Sequence, residues 1–305
     1  MKRVAAVAIV VGSGCLASCF LKPDRPGGAP ADGHGADAPT SACMGSVVWG
    51  MPHQLTELAG VGSSQESAWL SKDKSELWFT AVRNAVPELW HSTRAGSGWG
   101  SAEQVLDLGN GFIYDPHVVI SDDGLAAWYT TMQGSYNIST ATRGSAGEHF
   151  VPQGWASFVT DNGGVNEVDA AINGNATVMV FGESIGGAGL PSDLMITDRP
   201  TPSDQWSTPT ALGRFNTASD ECCEALDETG TTLMFSSNVG GDYMIYVATR
   251  ADRQSMFGSA TLLPHQISGN DNSDPVLSRD GLTVIFSSSP DGHDHLYEMT
   301  GSCAQ

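Results

Sequence analysis

Five short segments rich in β-branched residues each end on an aromatic: Phe79, Tyr129, Phe181, Phe235 and Phe286. The spacings are 50, 52, 54 and 51 residues. Five residues ahead of each aromatic lies a turn position, at Lys74, Gly124, Ala176, Gly230 and Gly281. Twelve ahead lies the start of a preceding strand, at Ser67, His117, Asp169, Cys223 and Asp274. A recurrence near fifty residues constrains the fold strongly. One such unit cannot bury its own apolar face and has to lean on a neighbouring copy.

The last copy shows the unit most clearly. From Asp274 to Thr300 it reads D-P-V-L-S-R-D-G-L-T-V-I-F-S-S-S-P-D-G-H-D-H-L-Y-E-M-T, three short strands separated by Asp-Gly turns. A fourth, aromatic-led strand follows each earlier copy, from Trp99, His149, Trp206 and Phe257. The last copy has none before Gln305, but Trp49 to Leu58 (W-G-M-P-H-Q-L-T-E-L) resembles the Trp99 segment. The two chain ends are thus expected to share one blade of a closed ring, which leaves no open sheet edge there. Four strands per copy and five copies give an all-β fold, a five-bladed β-propeller of four-stranded antiparallel blades over residues 45–303.

Several residues carry a family likeness. Asp274-Pro275, Ser278 to Gly281, Phe286, Asp291-Gly292 and Leu296 to Met299 resemble the TolB-type propeller repeat. Tyr114 to Tyr129 and Leu226 to Val247 follow it less closely. Blade 3, with Asn173-Gly174-Asn175 at its turn, departs from it, and blade 1, with Lys72-Asp73-Lys74, is weak. The resemblance implies an interaction protein of the periplasm or an accessory domain. A repeat so widely used does not by itself fix a role.

The N-terminus reads as an address. Lys2 and Arg3 precede an apolar run, Val4 to Val11, too short to span a bilayer. Leu16-Ala17-Ser18-Cys19 resembles the lipobox of bacterial lipoproteins. That implies a signal peptide over 1–18, acylation of Cys19, and, with Phe20 following, an outer-membrane anchor. Several acyl chains suffice for stable attachment. Lys22 to Ala42 lack large apolar side chains, and residues 19–44 read as a Pro/Gly/Ala-rich tether that cannot order itself. Removing residues 1–18 leaves 12 basic against 34 acidic residues, a net of −22. Such a charge excludes nucleic acid as a partner, and restricts membrane contact to the lipid.

Four cysteines remain in the mature chain besides the acylated Cys19. Cys43 and Cys303 bracket the repeats and are expected to pair beside the closing blade. Cys222 and Cys223 are neighbours. A vicinal disulfide and two buried thiols are both open for them.

First strands of a propeller line its axis, so His117, Asp169, Cys223 and Asp274 are expected at the pore mouth. Asp115, Glu167, Asp220 and Glu221 from the inter-blade links should surround them, with Glu183 on the longest loop overhead. Such a concavity suits a cation, a sugar or a peptide end. The competing reading is that these residues serve the repeat through backbone hydrogen bonds. His293 and His295 are expected in a solvated turn, and Trp49, Trp99 and Trp206 in inter-blade core. No cofactor or metal is expected, and the chain should be monomeric. Two functions fit. One is a non-catalytic, lipid-anchored module that binds a protein or small ligand outside the cytoplasm. The other is a glycoside hydrolase using two axial carboxylates drawn from Asp115, Asp169, Glu183, Glu221 and Asp274.

Overall fold

The computed structural model describes residues 43, 47–106, 108, 117–159, 164–185 and 191–304. Cys19 and Asp115 lie outside them. Within each blade the chain passes from first to second strand through one recurrent turn. Lys74, Gly124, Ala176, Gly230 and Gly281 all take the left-handed conformation there, with φ of 59°, 71°, 51°, 71° and 72°. These are the five positions the repeat marks as turns. The hydroxyls of Ser71, Ser121 and Ser278 accept the N–H of Glu76, Ala126 and Thr283 at 2.8–2.9 Å and fasten the turn. Asn173 and Asp227 do the same with side-chain oxygens. Glycine relieves the strain of that φ, and Lys74 and Ala176 tolerate it because the hydrogen bonds over-determine the loop.

Blade 1 is built from Ser64–Leu70, Glu76–Arg83, Val86–Ala95 and the short outer pieces Gly98–Trp99 and Glu103–Gln104. Blade 2 follows with Val118–Ile120, Ala126–Gln133, Ser135–Thr142 and Val151–Trp155. Blade 3 has Val165–Ile172, Val178–Ile185, Asp193–Asp198 and Thr210–Ala211. Blade 4 has Glu221–Leu226, Thr232–Ser237, Met244–Thr249 and Thr261–Leu262. Blade 5 takes Asn272–Leu277, Thr283–Ser288 and His295–Cys303 from the C-terminus. Its outer strand comes from the N-terminal side. Val47–Trp49 pairs with Gly301–Cys303, and His53–Gln54 pairs with Tyr297–Glu298, both antiparallel. A disulfide joins Cys43 to Cys303 across this seam, with Cα atoms 5.3 Å apart. The expected closure and pairing are both present.

The first strands touch one another all the way round, which closes the ring at its centre. The five anchor aromatics are buried, and Phe79, Phe181 and Phe286 are wholly so. They pack between blades with the recurrent tryptophans. Trp99 joins the cluster shared by blades 5 and 1, Trp206 the one reaching blades 2 and 3, and Trp49 the one between blades 4 and 5. Burial of such side chains at every seam is what holds the blades edge to edge.

Candidate functional site at the axial mouth

Four of the five first strands carry a bulge at the axial position. The pairing register shifts at Glu66/Trp69, Val168/Ala171, Cys222/Ala225 and Ser273/Val276. Ser67, Asp169, Cys223 and Asp274 sit in these bulges with φ of 51°, 56°, 59° and 50°. A bulge re-aims the side chain that follows it, and here it does so at one level around the axis. Ser67 donates to Asp274 Oδ1 at 3.3 Å, and Ser273 donates to Asp274 Oδ2 at 2.6 Å. The Cys223 thiol points at Asp169 Oδ2, 3.8 Å away. His117 is buried and lines a small axial cavity together with Glu224. The structure places Cys223 beside Asp169 and Ser67 beside Asp274.

The link residues play a framework part that recurs from blade to blade. Three positions before each bulge, a side chain caps the start of the preceding blade's third strand. Ser64 accepts the N–H of Asp294, Asn166 that of Tyr136, Asp220 that of Ser192 and Asp271 that of Tyr243, at 2.6–3.0 Å. Asp220 also accepts the Tyr243 hydroxyl, and burial with that bond pushes the phenol's pKa up. Glu221, one position on, accepts Thr217 N–H and hydroxyl at 2.8 and 2.7 Å and the Ser237 hydroxyl at 2.9 Å. Glu167 holds the equivalent position in blade 3. It stands directly opposite Glu183, which stands opposite Asp193. Burial and the neighbouring Glu183 raise the Glu167 carboxyl to about 7. Glu183 is raised by its own burial and by Asp193.

Blade 4 breaks the repeat at the centre. Immediately after the axial residue the other blades carry Ala68, Val118, Ala170 and Pro275, while blade 4 carries Glu224. Glu224 is 2 % exposed, and neither carboxyl oxygen has a hydrogen-bond partner. Room for it comes from blade 3. Gly182 stands where the other blades place Thr80, Thr130, Ser236 or Ser287, and Glu224 Oε1 lies 3.7 Å from where its Cβ would be. Burial, then the carboxylates of Asp169, Asp220 and Asp274, drive the Glu224 pKa well above the usual range, which favours the protonated acid. Sequence reading passed over it. The signal was a charge at a position that is small or apolar in every other copy.

Beside it, Cys222 and Cys223 are buried thiols with sulfurs 2.7 Å apart. The contact with Cys223 favours the Cys222 thiolate. Burial and Asp169, Asp220 and Asp274 outweigh it and push Cys222 up to about 12. The hydrogen bond to Cys222, and then burial, raise Cys223 well above the ordinary thiol value. Neither is a reactive thiolate at neutral pH. Among the described residues, no group of His, Cys, Asp and Glu is arranged to hold a metal. His295 instead faces the carboxylate of Asp291 at 3.1 Å.

The far end of the axis is plugged. Each blade sends one first-to-second turn into the plug. Arg279 donates to Asp122 Oδ1 at 2.8 Å and to the Ile172 carbonyl at 2.7 Å. Lys72 pairs with Glu228 at 2.8 Å and Asp122 at 3.5 Å, and Gly174 N–H donates to the Glu228 carbonyl. Between plug and mouth the axial cavity measures about 30 Å³. Basic side chains collect at the plugged end, on those turns or at the ends of third strands: Lys72, Lys74, Arg94, Arg143, Arg199, Arg250, Arg253 and Arg279. Among the described residues only Arg83 and Arg214 lie elsewhere, which leaves the mouth face strongly acidic.

Comparison with known proteins bears on the fold. No family model and no curated protein matches the chain. Solved structures do. The endo-arabinase from Bacteroides thetaiotaomicron is 12 % identical with a TM-score of 0.53, over 85 % of this chain and 98 % of that one. The catalytic domain of the α-L-arabinofuranosidase from Coprinopsis cinerea is 14 % identical with a TM-score of 0.51, over 85 % and 99 %. TolB from Acinetobacter baumannii is 15 % identical with a TM-score of 0.47, and the chain spans 55 % of its length. The feature shared with the first two is the propeller.

Proposed function

We propose that the chain is a non-catalytic binding propeller, held in the bacterial cell envelope by a lipid on Cys19, that takes a cationic ligand or protein at its axial mouth. The observation that carries this reading is the fate of the mouth carboxylates. Asp220 and Glu221 are tied to backbone N–H groups, Asp274 accepts two serine hydroxyls, and Glu224 is sealed away from solvent. A glycosidase needs two carboxyls flanking a sugar with room between them. The axial cavity that Glu224 faces is about 30 Å³, room for about one water and not for a sugar. What the fixed carboxylates do supply is a negative field over one face, with the positive groups on the other.

The glycosidase reading draws on one observation, the raised pKa of Glu224, which is the property of a general acid. Incubation of the protein with aryl α-L-arabinofuranosides and related aryl glycosides separates the two. No hydrolysis is expected, and turnover abolished by Asp169→Asn or Asp274→Asn would replace the binding reading by the enzymatic one. For the partner, photo-crosslinkers at Asp271 and Asp294 on the mouth side should give salt-sensitive adducts in cells that a crosslinker at Asp252 on the plugged side does not. Equal adducts from both sides would count against the mouth. Labelled fatty acid should enter the wild-type chain and not Cys19→Ala.

A further inference from the structure

The arginine that closes the third strand is held differently in blade 4 from blades 1 to 3. Arg94 meets Glu298 at 3.0 and 3.2 Å, Arg143 gives Nη1 to the Glu148 carbonyl at 3.5 Å, and Arg199 gives Nη1 to the Asp204 carbonyl at 3.3 Å. Among the described residues Arg250 donates only from Nε, to the Gly230 carbonyl at 2.8 Å, and its Nη2 is buried with no partner. A second arginine stands beside it. Three residues past the closing arginine the other blades carry Ser97, Ala146 and Pro202, while blade 4 carries Arg253. Arg253 reaches the Thr177 carbonyl at 3.4 Å, and its Nε is likewise buried and unpartnered. Burial and then the Arg253 charge lower the Arg250 pKa, and the carboxylates of Asp227, Asp252 and Asp198 do not outweigh them. Those carboxylates already accept the N–H of Thr231 and Thr232, the N–H of Gln254 and Ser255, and the Ser207 hydroxyl. Among the described residues none of the three forms an ion pair with either arginine.

Both arginines line one cleft of about 450 Å³ between blades 3 and 4, within the about 300–1,000 Å³ of small-molecule sites. The exposed Arg214 lines it too. Three of the chain's 14 lysines and arginines thus face this cleft against one carboxylate, Asp198, in a protein of net charge −20. Its remaining wall is apolar, with Ile196, Leu212, Phe215 and Met256. Met256 is 84 % exposed and stands where the other blades place Gly98, His149 or Gln205 ahead of the fourth-strand aromatic. Neither the second arginine nor the exposed methionine is asked for by the repeat. Independently of the mouth, we propose that this cleft is a binding site for a small organic phosphate monoester, its head at Arg250 and Arg253 and its apolar body against Leu212 and Met256. A phosphate monoester carries about −1.5 to −2 charges near pH 7, which balances two guanidinium groups where a carboxylate balances one. Its three terminal oxygens can accept from both planar forks at once. Among the described residues Nη1 of neither arginine makes a bond, so each keeps a donor for the ligand.

The test is calorimetric titration of the full chain at low salt with n-octyl phosphate below its micelle threshold, inorganic phosphate, n-octanoate and n-octylammonium. Octyl phosphate should bind. Inorganic phosphate, which lacks the apolar body, and octanoate, which carries one charge, should each bind at least about tenfold more weakly, and octylammonium should not bind. Added salt should weaken octyl phosphate, because the cleft is open to solvent and its charges are screened. Arg253→Ala should weaken it at least about tenfold, and Arg253→Lys should recover only part, since the planar fork is lost. Met256→Gln, on an exposed side chain, should weaken octyl phosphate and leave inorganic phosphate as it was. Arg83→Ala, an exposed arginine of blade 1, should alter neither. No binding of octyl phosphate, equal binding of octanoate or octylammonium, or octyl phosphate binding that survives both Arg253→Ala and Met256→Gln would each overturn the proposal. The four probes on the unaltered protein decide it even if a variant does not fold.

Discussion

Arg279 is 8 % exposed, and both its bonds cross to other blades, to Asp122 in blade 2 and to the Ile172 carbonyl in blade 3. Removing it leaves Asp122 with the more distant Lys72 and takes away the bond to the Ile172 carbonyl. Arg279→Ala should therefore cost about 3–5 kcal/mol in urea unfolding, as breaking a buried ion pair does. Lys72→Ala, on a half-exposed side chain, should cost under about 1 kcal/mol. Glu167 sets a pH dependence. Its folded pKa of about 7 lies above the ordinary value of 4.5, so its contribution is fully present below about pH 4.5 and lost as pH rises through about 7. Glu183 acts in the same sense. The turn carboxylates Asp73 and Asp123, lowered chiefly by serine hydroxyls, act oppositely and only below their ordinary value of 3.8. The melting temperature should thus be higher near pH 5 than near pH 7.5, and in Glu167→Gln the difference should shrink. An unchanged difference would show that Glu167 is not the group responsible. For the cysteine pair, iodoacetamide should leave Cys222 and Cys223 untouched in the native protein and modify both in denaturant without reductant, read by mass spectrometry of their peptide. At this scale the sequence was only partly legible. Asp169 and Asp274 could be placed at the axis because the strand start fixes them. A carboxylate in a link, such as Asp220 or Glu221, can face solvent or cap a neighbour's N–H equally well until the neighbouring blade is in place.

In blades 1 to 4 the third strand ends on a fastening that the aromatic spacing does not reveal. Arg94, Arg143, Arg199 and Arg250 lay their guanidinium groups over Trp99, Phe150, Trp206 and Phe257, 3.9–4.4 Å from the ring centroids. Each also donates from Nε to the carbonyl of its blade's left-handed turn residue, Lys74, Gly124, Ala176 or Gly230, at 2.6–3.3 Å. One side chain thereby joins the inner turn, the third strand and the approach to the fourth. Arg250→Ala should cost about 1–3 kcal/mol, with Arg250→Lys recovering little of it, because the planar stack and the fixed N–H direction are both lost. Blade 5 has Gly301 instead. A Cβ there would lie 2.4 Å from Val47 Cγ1 and 3.0 Å from Trp49, so the incoming N-terminal strand occupies the arginine's place. Gly301→Arg should displace that strand and speed amide exchange at Val47–Trp49. Strands and turns were legible from β-branched runs and Asp-Gly pairs. The arginines were present as a Thr-Arg or Asp-Arg step after each third strand, but a charged residue past a strand end is ordinarily read as solvent-facing.

The closed ring is a property of the whole chain, and it could be read from sequence because one copy lacked a fourth strand and a spare one stood at the other end. The proposed lipid anchor and the proposed occupant of the mouth have no such internal check, since neither is encoded by repetition. Closure carries its own prediction. The Cys43–Cys303 bond spans 260 residues, and a cross-link over so long a loop is worth up to about 5 kcal/mol through the unfolded chain. Reduction, or Cys43→Ser, should lower stability by a few kcal/mol while leaving the strand signal of circular dichroism intact. A loss of blade structure would mean that the pairs Val47–Cys303 and Trp49–Gly301 cannot hold the seam without the bond.

The sulfur bridge also decides where a pull would be felt. Tension arriving from upstream of Cys43 crosses into the chain at Cys303 before it reaches any interstrand hydrogen bond, so the outermost strand of blade 5 hangs slack while the load passes it by. Only after reduction would the same tug begin to unzip the ring from its seam.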